Sequence, residues 1–263
     1  MKTILLINDD GIESPGLISL KKKLQKLGQV FVIAPKEERS GIGKAITSAG
    51  YVQIVETRLK DGGKGYATSG TPADAFLLGV NKILRCPPDL LVAGINLGPN
   101  LGIDDLLNSG TLGAALEAAI HGVPAVAVSY CKQEFIDQQA DKARITQGKL
   151  EFAAKFAQKI VEYVLKNGMP QDVDIISINV PENADSEKVR ITNLSYVGYK
   201  DIFAKEKEGY RIASWKLDDY VDANTETDVH AVKEGYISVT PIKVRLLHNR
   251  EALKSMIKNT LFG

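Results

Sequence analysis

Short apolar runs alternate along this chain with segments of helical periodicity, and that alternation limits its fold more than any other feature. Residues 4–7, 30–34, 90–93 and 125–128 are uninterruptedly apolar and 174–180 are mostly so, as strands are when both faces of their sheet are covered. Between them, residues 17–27, 73–84, 112–121 and 149–165 carry apolar positions at helical spacing; in the last, Ala153, Ala157, Ile160, Val161 and Val164 share one face. Strand and helix in alternation predict an α/β fold with a doubly wound, mostly parallel sheet and helices on both faces. Ligands of such sheets sit beyond the carboxyl ends of the strands. The 263 residues suffice for one such core with an appendage.

The texture changes after about residue 181, which divides the chain into an α/β core, 1–182, and a C-terminal extension, 183–263. Within the extension two alternating runs flank Lys205-Glu206-Lys207-Glu208-Gly209 and predict a hairpin over about 196–220, followed by a terminal strand and helix. Tyr199, Phe203, Tyr210 and Trp215 lie along the hairpin. An isolated two-stranded ribbon is marginal in water, so these aromatics are expected to pack on another surface, that of a partner subunit included.

Bulk charge excludes some partners. The 33 basic and 32 acidic residues give a formal +1, without a basic block of the kind that binds nucleic acid or a membrane surface. Cys86 and Cys131 are the only cysteines and have no C-x-x-C spacing, which fits a reducing compartment and neither a disulfide framework nor a zinc site. The chain opens on a strand pattern, and no apolar run approaches membrane-spanning length. A cytoplasmic protein is the expectation.

Four stretches at strand-to-loop or strand-to-helix junctions differ chemically from the rest: Asn8-Asp9-Asp10-Gly11, "ERSGIGKA" around Ser40, "GINLGPNLG" around Asn96, and "NSGTLGAA" from Asn108. Adjacent carboxylates at a sheet rim repel each other and resist burial, so Asp9 and Asp10 are either hydrated or hold something positive. The donors gathered with them are an amide and a hydroxyl, with no histidine or cysteine, which suits a hard cation such as magnesium or manganese better than zinc. Residues 94–102 form a glycine-rich loop after a buried strand, shaped for close approach to a ligand.

The tripeptide Ser-Gly-Thr occurs twice. In Ser69-Gly70-Thr71-Pro72-Ala73-Asp74 the proline and the acid three residues after Thr71 mark a capped helix start. In Asn108-Ser109-Gly110-Thr111 the following helix has no acid in its first turn, so amides and hydroxyls there offer an anion site. Phosphate is the obvious anion beside a divalent metal. Gly41-Ile42-Gly43-Lys44 has the spacing of neither a P-loop nor a dinucleotide fingerprint. His121, His230 and His248 stand singly, outside these junctions.

Taken together, "ILLINDDGIESPG", "RSG", "SGTPADA", "PDLLVAGINLGPNLG", "SGTLGAALEA" and "TDVHAVKEGYISVTPI" span most of the chain and resemble the SurE survival-protein family, metal-dependent 5'-nucleotidases and nucleoside-monophosphate phosphatases. The resemblance implies a Rossmann-like core, with one divalent metal ion per subunit, Mg2+ or Mn2+, held by Asp9, Asp10, Ser40 and Asn96. It implies a phosphate loop at Ser109, Gly110 and Thr111, with Gly41 and Asn100 on the substrate side and Asp9, Asp10, Asn96 and Ser109 as the catalytic set. It further implies a homodimer or homotetramer exchanging the C-terminal hairpin. Asn108 departs from the aromatic residue or histidine that members often carry there, which bears on base preference. The expected reaction is hydrolysis of nucleoside 5'-monophosphates, with 3'-monophosphates as further candidates. Two other readings stand beside it. A phosphoacceptor signalling domain lacks its acceptor aspartate, because the strand at 90–93 runs into Gly94-Ile95-Asn96. A non-catalytic nucleotide- or phosphate-binding module would keep the phosphate loop without the metal.

Overall fold

The computed structural model describes residues 1–132, 147–196, 198–199, 202–212, 223–244 and 250–261. Their core is one nine-stranded sheet. In chain order its elements begin β1 (Thr3–Ile7), α1 (Pro15–Leu24), β2 (Gln29–Pro35), β3 (Ile54–Arg58), β4 (Lys64–Thr68) and α2 (Pro72–Leu78), then a π-helical segment, Gly79–Leu84. There follow β5 (Leu90–Asn96), α3 (Gly102–Asn108), α4 (Gly110–Ile120), β6 (Ala125–Cys131), α5 (Gln147–Asn167), β7 (Ile175–Pro181) and β8 (Val189–Ile191). The chain continues with β9 (Phe203–Glu206), β10 (Gly209–Ile212), α6 (Asp228–Lys233), β11 (Ile237–Ile242) and α7 (Arg250–Leu261).

The strand order is β3-β4-β2-β1-β5-β6-β7-β11-β8. From β4 through β7 neighbouring strands are parallel; β3 and β11 pair antiparallel to β4 and β7, and β8 pairs parallel to β11. The sheet is therefore mostly parallel and doubly wound, as the alternation of runs predicts. The chain winds from β1 outward through β2 to β4, then crosses to β5 and winds the other way. That reversal makes the crevice between the ends of β1 and β5 the topological switch point, where ligands of open α/β sheets bind.

Alternation along β1 divides the core. Ile4 and Leu6 pack with Leu17, Leu20 and Leu24 of α1 and Ala153, Ala157 and Val161 of α5. Leu5 and Ile7 face the other layer, with Phe76 of α2 and Leu112 and Ala115 of α4. Both layers are needed because β5, β6 and β7 are buried along their whole length.

Four features depart from the sequence expectations. The half-exposed ribbon β3–β4 was not anticipated. The helix expected over 73–84 changes hydrogen-bonding pattern at Gly79, where a Cβ would stand 2.9 Å from Ile33 and 3.0 Å from Leu5. The short helix α3 occupies residues adjoining the glycine-rich loop. The stretch after 182 is continuous with the core, since β11 and β8 complete its sheet. The expected hairpin is present as β9 and β10, which pair antiparallel from Phe203 opposite Ile212 to Glu206 opposite Gly209 and form a separate sheet. Phe203, Tyr210 and Ile212 are exposed; Trp215 and the remainder of the predicted arm to 220 lie outside the described residues. Among the described residues no helix is long and apolar enough to cross a membrane.

Candidate active site

Strand β1 ends at Ile7, and the next three residues turn the chain across the switch point. Gly11 adopts φ +99°, accessible to glycine at little cost, and Ser14 caps α1 by accepting from the Gly16 amide at 3.2 Å. Between these fixed points, Asp9 is 3% exposed. Its Oδ1 accepts from the Thr111 hydroxyl at 2.5 Å, and its carbonyl accepts from the Arg39 amide at 2.8 Å. Asp10 reaches the other wall, accepting from the Leu97 amide at 3.0 Å. The paired aspartates thus tie the end of β1 to the start of α4, to the loop carrying Ser40 and to the end of β5.

The other junctions are built to match. In β5 the register against β6 shifts between Gly94 and Asn96, a bulge that re-aims the strand's last side chain. Asn96 then bends over its own loop, donating to the Gly98 carbonyl at 2.8 Å. The Ser40 loop is anchored on both sides: the Gly43 amide donates to the Asn108 carbonyl at 2.6 Å, and Thr71 donates to the Ala45 carbonyl at 2.6 Å. Thr47 donates to Asp74 at 2.6 Å. Thr71 and Asp74 also form a complete capping box on α2. The first Ser-Gly-Thr is therefore structural, as its proline and acid predict, and it has the added task of holding the Ser40 loop.

The second copy differs from the expectation of unengaged hydroxyls. Ser109 caps α4 through the Leu112 amide at 3.2 Å, while Thr111 is fully buried behind Asp9. Gly110 lies so close to Asp9 that a Cβ would stand 2.8 Å from the Asp9 Cβ, 3.0 Å from its Oδ2 and 3.1 Å from the Arg39 carbonyl. Only glycine lets the helix start approach the acid this closely.

Asp9, Ser40, Gly41, Asn96, Asn100 and Ser109 line one cavity of about 190 Å3, with Leu97 and Pro99 adding apolar surface. Asp10, Gly110 and Thr111 are not among the lining residues: Gly110 and Thr111 are buried against Asp9, and the partly exposed Asp10 adjoins the lining through the Leu97 amide. Asn100 has its polar groups committed to the scaffold: its side chain donates to Ser129 at 2.8 Å, and its amide and carbonyl bond the Asn179 side chain at 2.9 Å each. Asn108 also borders the cavity.

Two further residues complete the walls: Asp105, which the sequence reading passed over, and Tyr199, which it placed on the hairpin but which lies before β9 and packs on this chain's own Leu101, Cys131, Val229 and Val232. Asp105 and Tyr199 line the same cavity. Asp105 accepts from the Leu101 amide at 2.7 Å and the Tyr199 hydroxyl at 2.9 Å; burial pushes its carboxyl up to about 7, helped by the negative charges of Asp228 and Asp104 and opposed by those two hydrogen bonds. Asp228, raised chiefly by burial as well, accepts from the Gly102 amide at 2.8 Å and the Ser195 amide at 3.0 Å. These acids pin the glycine-rich loop from below. Their signal in the sequence was slight; Asn179, a lone amide within "IISINVP", was the plainest clue because a polar side chain in a buried strand requires a partner.

Comparison with known proteins agrees with this architecture. Residues 4–201 match the family model described as survival protein SurE. The chain belongs to the SurE family. Over 251 residues it is 37% identical to the 5'-nucleotidase SurE of Archaeoglobus fulgidus, covering 92% of each chain. The 5'-nucleotidase SurE of Methanothermobacter thermautotrophicus is 40% identical over 195 residues, 73% of this chain and 72% of that one. The crystal structure of the SurE protein from Aquifex aeolicus superposes with a TM-score of 0.76 at 34% identity, covering 98% of this chain and 99% of that one. In this SurE chain, then, the junction motifs of the sequence meet at the switch point of the family's fold.

Proposed function

We propose that this chain is a divalent-metal-dependent 5'-nucleotidase, cleaving nucleoside 5'-monophosphates to nucleoside and phosphate, with 3'-monophosphates as a second substrate class. The observation that carries this reading is the convergence of Asp9, Ser40, Asn96 and Ser109 on one cavity, with Asp10 bonded to the amide of the lining residue Leu97. Its donor set is all oxygen, from carboxylate, amide and hydroxyl, which fits one hard cation per subunit, magnesium or manganese. Among the described residues no group of three or more His, Cys, Asp and Glu could hold a metal, so a cation here depends on the mixed set. Asp9, Asp10, Ser40 and Asn96 would hold it. When bound, it supplies positive charge to the phosphoryl oxygens and acidity to a water.

The chain's own residues do the remaining work. Thr111 fixes one oxygen of Asp9 and so orients the carboxylate. Asp10 is oriented by the Leu97 amide. Helix α4 begins at the cavity edge without an acid in its first turn, so its positive end favours the negative charge of a phosphoryl group. The buried scaffold of Asn100, Asn179 and Asp105 keeps the walls in place while substrate enters and leaves.

Phosphate release from adenosine monophosphate, with and without a chelator, tests the reading. Release that stops with chelator and returns with Mg2+ or Mn2+ is expected. Chelator-resistant release overturns the metal; binding without release leaves only a nucleotide-binding module. Assembly into a homodimer or homotetramer through the β9–β10 hairpin belongs to the same proposal, supported by the exposed aromatics on that ribbon.

A further inference from the structure

Tyr199 is the only aromatic side chain among the described residues lining the cavity, and it is held unusually firmly for a residue outside any helix or strand. Its amide donates to Asp104 at 2.8 Å and its hydroxyl to Asp105 at 2.9 Å, while its ring packs against the cluster of Leu101, Cys131, Val229 and Val232. A ring fixed at its backbone, its edge and one flank has already given up its rotamer freedom, so a ligand stacking on it does not have to order it. We propose that Tyr199 is the nucleobase platform of this site, the residue by which the cavity distinguishes nucleotides from other phosphomonoesters. This rests on the nucleotidase reading above.

The composition of the cavity wall supports the assignment. Asp9, Ser40, Asn96 and Ser109 are polar and suit the charged phosphoryl end. Tyr199, Leu97 and Pro99 offer apolar and aromatic surface, which suits the one part of a nucleotide that is flat, uncharged and weakly hydrated on its faces. Stacking on an aromatic ring tolerates any base, because every base has such a face. The platform should therefore select for the presence of a base and discriminate little between bases. Asp105 acts as a positioning residue, setting the ring through its hydroxyl without touching the base.

The test compares kcat/KM for adenosine monophosphate with that for ribose 5-phosphate, which keeps sugar and phosphate and omits the base. The wild-type protein should prefer the nucleotide, and Tyr199→Ala should reduce that preference at least tenfold, with Tyr199→Phe, which keeps the ring and loses its bond to Asp105, between the two. Tyr199→Leu preserves apolar packing while removing the ring, so its loss of preference separates stacking from collapse of the wall. A wild-type protein without preference, or a Tyr199→Leu protein within twofold of the wild-type ratio, overturns the platform and leaves the nucleotidase intact. If neither compound is hydrolysed, the nucleotidase reading fails instead. Calorimetric binding of adenosine monophosphate to wild type and Tyr199→Leu then decides the platform: equal affinities overturn it, and a tenfold weakening upholds it.

Discussion

Asp9 at the end of β1 is 3% exposed, whereas Phe203 and Tyr210 on the β9–β10 ribbon are 54% and 72% exposed. The chain has buried a charge at one place and left aromatic rings in the open at the other, reversing the usual preferences of these residue types. Each inversion costs free energy within a single chain, and each points to something outside it. Around Asp9 the cost is limited by a pre-set partner, the Thr111 hydroxyl, which donates to the carboxylate. Among the described residues the ribbon has no such provision, because two strands paired with each other bury little. On the proposed reading, the buried charge with its prepared neighbour serves a small charged ligand, and the open aromatics on the ribbon serve another chain.

The sharpest way to break this comparison is to neutralise the acids. Asp9→Asn and Asp10→Asn preserve volume and should reduce nucleotide hydrolysis roughly 100-fold or more, the scale for removing one charge-stabilising group from a hydrolytic centre, while circular dichroism stays native. Full turnover by Asp10→Asn at ordinary metal concentration would remove Asp10 from the site. Gly110→Val should bring hydrolysis to a similarly low level by displacing Asp9, given that even a Cβ would stand 2.8 Å from the Asp9 Cβ; wild-type rates would show that the close approach is unimportant. On the other side of the comparison, deleting residues 200–217 should lower the subunit number measured by light scattering. An unchanged assembly would place the ribbon's contacts within its own chain.

Two smaller effects sharpen it further. Ser109→Ala removes the α4 cap and should cost about 1 kcal/mol in urea unfolding, with any loss of phosphate inhibition reporting a second use of the hydroxyl. Asp105 supplies a pH signature. Its carboxyl is raised by burial from 3.8 to about 7, so between those values the folded protein holds a proton that the unfolded chain has lost. Stability contributed by this group therefore falls as pH rises through that window and is level above it. Asp228 shifts in the same direction. Asp105→Asn should flatten the decline in melting temperature from pH 5 to pH 8, and an identical decline in the variant would assign the slope elsewhere.

What the sequence revealed follows from how local each signal is. The central strands were legible because burial on both faces makes them continuously apolar, and the Thr71 cap because proline and Asp74 stand beside it. Ribbon β3–β4 escaped notice because it is half-exposed and shows no continuous apolar run. Helix α3 is short, and Leu101 at its N-cap offers no side-chain hydrogen bond. Within the site, the polar residues at strand ends stood out by composition, but their division of labour did not. That Thr111 is buried against Asp9, that Asp105 and Tyr199 finish the cavity wall, and that Asp228 anchors the adjoining loop depends on pairings such as Gly102 with Asp228, 126 positions apart. No local pattern encodes a contact of that span.

The hydrogen bond between Thr111 and Asp9 joins residues 102 positions apart. Such a contact is entropically expensive to close early and is made when the sheet it crosses has formed. The unfolded chain therefore carries the acids without their arrangement, and a ligand held by Asp9 binds the native state alone. Saturation then becomes a source of stability, about 2.7 kcal/mol at a free concentration one hundred times the dissociation constant. The melting temperature of this protein is in that sense a meter for its own ligand.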